Sequence, residues 1–80
     1  MIRIEKSVKK PPNAVIAEAE RRFGRDGLGL DVSNKEDTCL ELAGGGGFIS
    51  VTACVDDQKT KVEATSREWD SQVKSFIADL

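Results

Sequence analysis

Cys39 and Cys54 are the side chains of this sequence with the most obvious chemistry, and no histidine or tyrosine accompanies them. Without histidine the usual general base near neutral pH is missing, and so are Ser-His-Asp and Cys-His arrangements and histidine metal sites. Lysine, carboxylate and cysteine chemistry stay open. As zinc ligands the two cysteines supply half of the usual four, and the chain has no second pair. As a redox couple they lack the close Cys-x-x-Cys spacing. They read as small, inert side chains. Their parity about the intervening hairpin allows them to share a sheet face and to sit across from each other.

Gly44 to Gly47 invite comparison with a phosphate-binding loop. Such a loop leads from a strand through glycines and a Lys-Ser/Thr pair into a helix whose amides face the anion. Here the glycines run into Phe48-Ile49-Ser50-Val51, which is a strand pattern without the lysine. They predict a hairpin connection. Glu36, Asp37, Asp56 and Asp57 cluster near two turns, without the spacing of a calcium loop, and read as solvated turn residues.

Phe23, Trp69 and Phe76 fall on helical stripes. They fill a core, or they line a small apolar pocket between the last helix and the sheet. The other candidate site is a strand face. If Ile49, Val51, Ala53 and Val55 point inward, then Phe48, Ser50, Thr52 and Cys54 point outward. That outward set carries no charge, where a fully solvated strand usually shows more. Phe48, Ser50, Thr52 and Cys54 are therefore the candidate interface. The same face is predicted to hold Cys39, Glu41, Lys61, Glu63 and Thr65.

The elements that must position these residues follow from periodicity. Ile2, Ile4 and Val8 alternate with Arg3, Glu5 and Ser7, a half-buried strand in which Lys6 breaks the apolar set. Pro11 and Pro12 end it, and Asn13 is suited to cap a helix. Val15, Ile16, Ala19 and Phe23 share one helical face, and Gly24 is a natural left-handed stop. Residues 28–42 read equally as one long bulged strand or as two short ones. Strands around Val51 and Val62 follow. Thr65-Ser66-Arg67-Glu68 fits a capping box ahead of a helix with Trp69, Val73, Phe76, Ile77 and Leu80 on one stripe.

The order β-α-β-β-β-α predicts an α+β fold. Its economical form is a two-layer sandwich, a mostly antiparallel sheet with both helices on one face. A right-handed crossover permits the first strand at either edge of the meander. Ile4, Phe23, Leu40, Val51, Val62, Trp69 and Phe76 are the predicted core. The 80 residues make one domain, in which about 60% of the unfolded surface is buried.

The composition, 39% hydrophobic and 32% charged with a net charge of −2, is that of an ordinary globular domain. Residues 1–27 hold seven Lys/Arg against four acids, and residues 28–80 five against ten. A nucleic-acid surface would gather those basic residues on one face, and a solvated rim is expected instead. Arg3, Glu5 and Lys6 break up what a signal peptide would keep apolar, and no run is long enough to span a membrane. A cytoplasmic location with reduced cysteines is the expectation.

Ser66-Arg67-Glu68-Trp69-Asp70, placed after the meander and before the amphipathic last helix, resembles small prokaryotic domains of the polyhydroxyalkanoic acid system family. The resemblance extends over most of the chain in length and element order. It implies association with storage granules and assigns no site residue. The residues themselves predict a binding domain rather than an enzyme, with no cofactor and no metal. Its partner would be a second copy or another protein, held on the open sheet face. The alternative is a small carrier of an apolar ligand lodged between the C-terminal helix and the sheet.

Overall fold

Alternation and turn chemistry build the sheet. The computed structural model describes residues Met1 to Leu80. The elements are β1 (Ile2–Val8), α1 (Pro12–Phe23), β2 (Asp31–Glu36), β3 (Cys39–Gly44), β4 (Gly47–Asp56), β5 (Lys59–Arg67) and α2 (Asp70–Asp79). Residues 28–42 thus contain a second, short strand, β2, and the order is β-α-β-β-β-β-α. The sheet is antiparallel throughout, with strand order β1-β5-β4-β3-β2. The meander β2 to β5 is local, and β1 closes it by pairing Ile2 with Ser66 and Val8 with Thr60.

Two of the hairpins use the tight turn whose two central residues both have positive φ, which matches the right-handed twist of the strands. Gly45 (φ 60°) and Gly46 (φ 82°) join β3 to β4, as the glycine run predicts. Asp57 (φ 52°) and Gln58 (φ 68°) join β4 to β5. The β2–β3 pairing shifts register between Val32 and Asn34. A bulge of this kind twists an edge strand away from further pairing.

One face of the sheet is apolar. Ile4, Ala64, Val51 and Leu40 lie in one row across four strands, and Leu42 and Ile49 in the next. α1 lays Val15, Ile16, Ala19 and Phe23 over β3 and β4, and α2 lays Val73, Phe76 and Ile77 over β5 and β1. Both helices therefore cover the same face, as the sandwich requires. Sixteen buried apolar residues form one core. Of the predicted core, Phe23, Leu40, Val51, Val62 and Phe76 are fully buried, while Ile4 and Trp69 are half-buried at its margin.

Four local expectations are corrected. Asn13 does not cap α1. Pro11 takes the cap position, its carbonyl accepts from the amides of Ala14 and Val15, and Pro12 lacks one of the donors a cap would satisfy. Gly24 is extended (φ −80°), and the left-handed residue is Gly29 (φ 84°), because the loop turns back to donate from Leu28 to Arg22 and from Leu30 to Phe23. Thr65 to Glu68 form no capping box, since Thr65, Ser66 and Arg67 are held in β5 by pairing with β4. Ser66 Oγ instead donates to Asp70 Oδ1 at 2.7 Å, in the first turn of α2. Trp69 opens α2 as its cap residue rather than lying on the stripe.

Candidate functional site

The face opposite the helices is bare across all five strands. Its registers are read directly from the pairing. One row runs Arg67, Phe48, Ala43, Asp31. The next runs Arg3, Thr65, Ser50, Glu41, Asn34, and the third Glu5, Glu63, Thr52, Cys39, Glu36. Phe48, Ser50, Thr52 and Cys54 therefore share this face, down its central strand. Phe48, Ser50 and Thr52 are half-buried by their neighbours, and Cys54 is exposed. A shallow depression of about 430 Å³ opens beside Phe48 and Ser50, bordered by Ser33, Glu41 and Thr65.

Charge is distributed asymmetrically about this neutral centre. On the β1–β5 side, Arg3 bonds Glu63 and approaches Glu5 at 3.4 Å, and Lys61 lies 3.8 Å from Glu5. The Arg3 guanidinium holds the Glu63 carboxyl below the usual carboxylate range. These four charges satisfy one another. Arg67 has no ion pair in the chain, and neither do Asp31, Glu36 and Glu41 on the β2–β3 side. One flank thus presents a free cation, and the other three free acids. Sequence alternation found the residues of β3, β4 and β5. It missed Arg3, Glu5, Arg67 and the acids of β2, because their place on the face depends on which strand lies beside which.

The two cysteines share the open face but not a register. Cys39 opposes Thr52, and Cys54 opposes Lys61. Both are free, and burial, followed by Glu41 and Glu36, pushes the Cys39 thiol above its ordinary range. At neutral pH Cys39 is accordingly a thiol and a poor nucleophile. Asp56 and Asp57 lie at the β4–β5 turn, Glu36 and Asp37 at the β2–β3 turn, and no three potential ligands converge on one point.

The three aromatic residues of the predicted apolar pocket do not enclose a space. Phe23 and Phe76 are 1% and 0% exposed and meet edge to face, with ring centroids 5.2 Å apart. The Arg22 guanidinium lies 5.8 Å from the Phe76 ring centroid and pairs with Asp79 at 3.0 Å. Trp69 is elsewhere, at the glycine turn. Its Nε1 donates to the Gly44 carbonyl at 3.0 Å, and its ring packs so closely on Gly45 that a Cβ there would lie 2.6 Å from Cζ2. Phe23 borders a shallow depression of about 190 Å³ with Arg22, Leu28, Gln72 and Ser75, which neither Trp69 nor Phe76 lines. No helix is long and apolar enough to cross a membrane.

No protein-family model matches the chain, and no curated protein matches it in sequence.

Proposed function

We propose that this chain is a small, non-catalytic binding domain that engages another protein surface, a second copy or a different partner, through its open sheet face. One observation carries the reading. Both helices pack on the same side, so the other side of the sheet is left uncovered, and along the central strand its outward residues Phe48, Ser50, Thr52 and Cys54 carry no charge. Small residues let a second surface approach within about 10 Å, and an aromatic residue at the end of the strip can anchor it. The flanking charges supply a rim, as interfaces usually have.

The reading is tested by placing a photo-reactive side chain at Thr52, on the open face, or at Ser71, exposed on α2, in the cells that make the protein. Irradiation is expected to give discrete protein adducts from position 52 and none from position 71. The absence of any adduct from position 52 would remove this reading, whatever the partner.

A further inference from the structure

The distribution of free charge selects one occupant and one orientation. Resting on the reading of the open face as a binding surface, we infer that the occupant is a second copy of this chain, related by a two-fold axis that runs along β4.

Two sheets can meet face to face about an axis along the strands or about one across them. An axis across the strands lays β2 on β2 and β5 on β5. With that axis between Ser50 and Thr52, Glu36 of one copy comes over Asn34 of the other, beside Glu41, and Arg67 comes over Lys61, so like charges meet on both flanks. An axis along β4 exchanges the flanks. β5 of one copy then covers β3 of the other, and β1 covers β2. In the first row Arg67 lies over Ala43, beside Asp31; in the second Arg3 and Thr65 lie over Asn34 and Glu41. The unpaired Arg67 of each copy thus lies beside Asp31 and one row from Glu41 of the other, twice by symmetry. The third row is less favourable, since Glu36 comes over Glu5, but Glu5 is already held by Arg3 and Lys61 within its own chain. Along the axis the neutral residues meet their own equivalents, Phe48 with Phe48 and Cys54 with Cys54.

The area is adequate for a weak dimer. Five strands about 4.8 Å apart and about six residues long cover about 500 Å² in projection, or about 1,000 Å² for the pair. That lies at the lower bound of specific interfaces, so exchange between monomer and dimer is expected rather than a permanent complex.

The test is sedimentation of the purified chain from micromolar to millimolar concentration at low salt. Wild-type protein is expected to associate to a dimer. Thr52→Lys, which puts charge at the centre, should raise the dissociation constant at least about a hundredfold. Arg67→Glu and Glu41→Lys alone should each raise it about tenfold, and an equimolar mixture of those two variants should recover a heterodimer of near wild-type affinity, because each rim then meets its opposite. In a Cys39→Ser background, a short bismaleimide should join Cys54 to Cys54, which an axis across the strands would hold about 20 Å apart. Folding of each variant is checked by circular dichroism. A wild-type monomer at millimolar concentration would overturn the dimer, while adducts from position 52 in cells would leave the broader reading standing. A dimer that survives Thr52→Lys would place the interface elsewhere. A dimer with no recovery in the mixture and no Cys54 link would overturn the orientation.

Discussion

At the scale of single residues, burial and hydrogen bonding explain several positions that pattern alone leaves odd. Lys6 stands among apolar neighbours of β1 on the helix side, yet its Nζ donates to the carbonyls of Ile77 and Leu80 at 3.1 and 3.3 Å. A cation there satisfies the last carbonyls of α2 and complements the helix dipole. Thr60 and Ser66 are buried polar residues whose hydroxyls donate to the Lys10 carbonyl and to Asp70, and no buried side-chain polar atom is left without a partner. Phe76 is the largest stake on α2, fully enclosed and in edge contact with Phe23. Phe76→Ala is expected to destabilise the fold by about 3–5 kcal/mol through lost transfer energy and a residual cavity. That is a large part of the about 5–15 kcal/mol available to a domain, so a urea titration should show a much lower midpoint or no folded baseline. An unchanged midpoint would mean that α2 does not pack on the sheet as described.

At the scale of elements, turns decide register. The β3–β4 hairpin needs positive φ at both Gly45 and Gly46, but the two positions differ in their surroundings. A Cβ at Gly45 would collide with Trp69, whereas one at Gly46 meets nothing within 4 Å. Gly46→Ala should therefore cost only the left-handed strain, about 1–2 kcal/mol. Gly45→Ala should cost the same strain and also displace the indole from its hydrogen bond to Gly44, for a total of about 2–4 kcal/mol. Thermal melting followed by tryptophan fluorescence measures both, and the emission of the folded Gly45→Ala protein should shift as the ring becomes solvated. Equal losses at the two positions would show that the indole does not clamp the turn. β2 illustrates the opposite case. Every residue of that strand is exposed, so burial contributes little to holding it, and its ladder to β3 and the Lys35–Glu20 ion pair at 2.7 Å keep it in place.

At the scale of the whole molecule, one core lies under one sheet. β1 pairs with β5 across more than fifty residues of sequence. Non-local closure of this kind makes folding slow relative to helical domains of the same size. It also makes unfolding cooperative, because α2 rests on both β1 and β5. Trp69 joins the start of α2 to the β3–β4 turn, so its fluorescence reports on both the C-terminal helix and the middle of the meander. Fluorescence and far-ultraviolet circular dichroism are expected to give superimposable urea transitions, with a slope of about 1 kcal/mol per molar urea. Separate midpoints would show that the C-terminal helix detaches before the sheet melts.

Sequence alone determined which side chains face inward. The two-residue alternation of Ile49, Val51 and Ala53, and the helical spacing of Val15, Ile16, Ala19 and Phe23, reflect burial on one face, and burial is what such patterns encode. The α+β class, the common face for the helices and the outward set Phe48, Ser50, Thr52 and Cys54 all follow from it. Val55, expected inward by the same alternation, is instead 69% exposed at the end of β4 that runs into the β4–β5 turn. β2 was legible only as an alternative, because an edge strand with no buried residue leaves no apolar alternation. The tertiary structure decided what depends on neighbours distant in sequence. It placed β1 beside β5, set Lys6 beneath the end of α2, and packed Trp69 against Gly45. It also separated Trp69 from the Phe23–Phe76 pair and gathered the unpaired charges of Arg67, Asp31, Glu36 and Glu41 onto one face. Local periodicity carries a side chain's direction but not its partner. Partners are chosen by the packing of the whole sheet, and the charge pattern of the open face comes into being only with that choice.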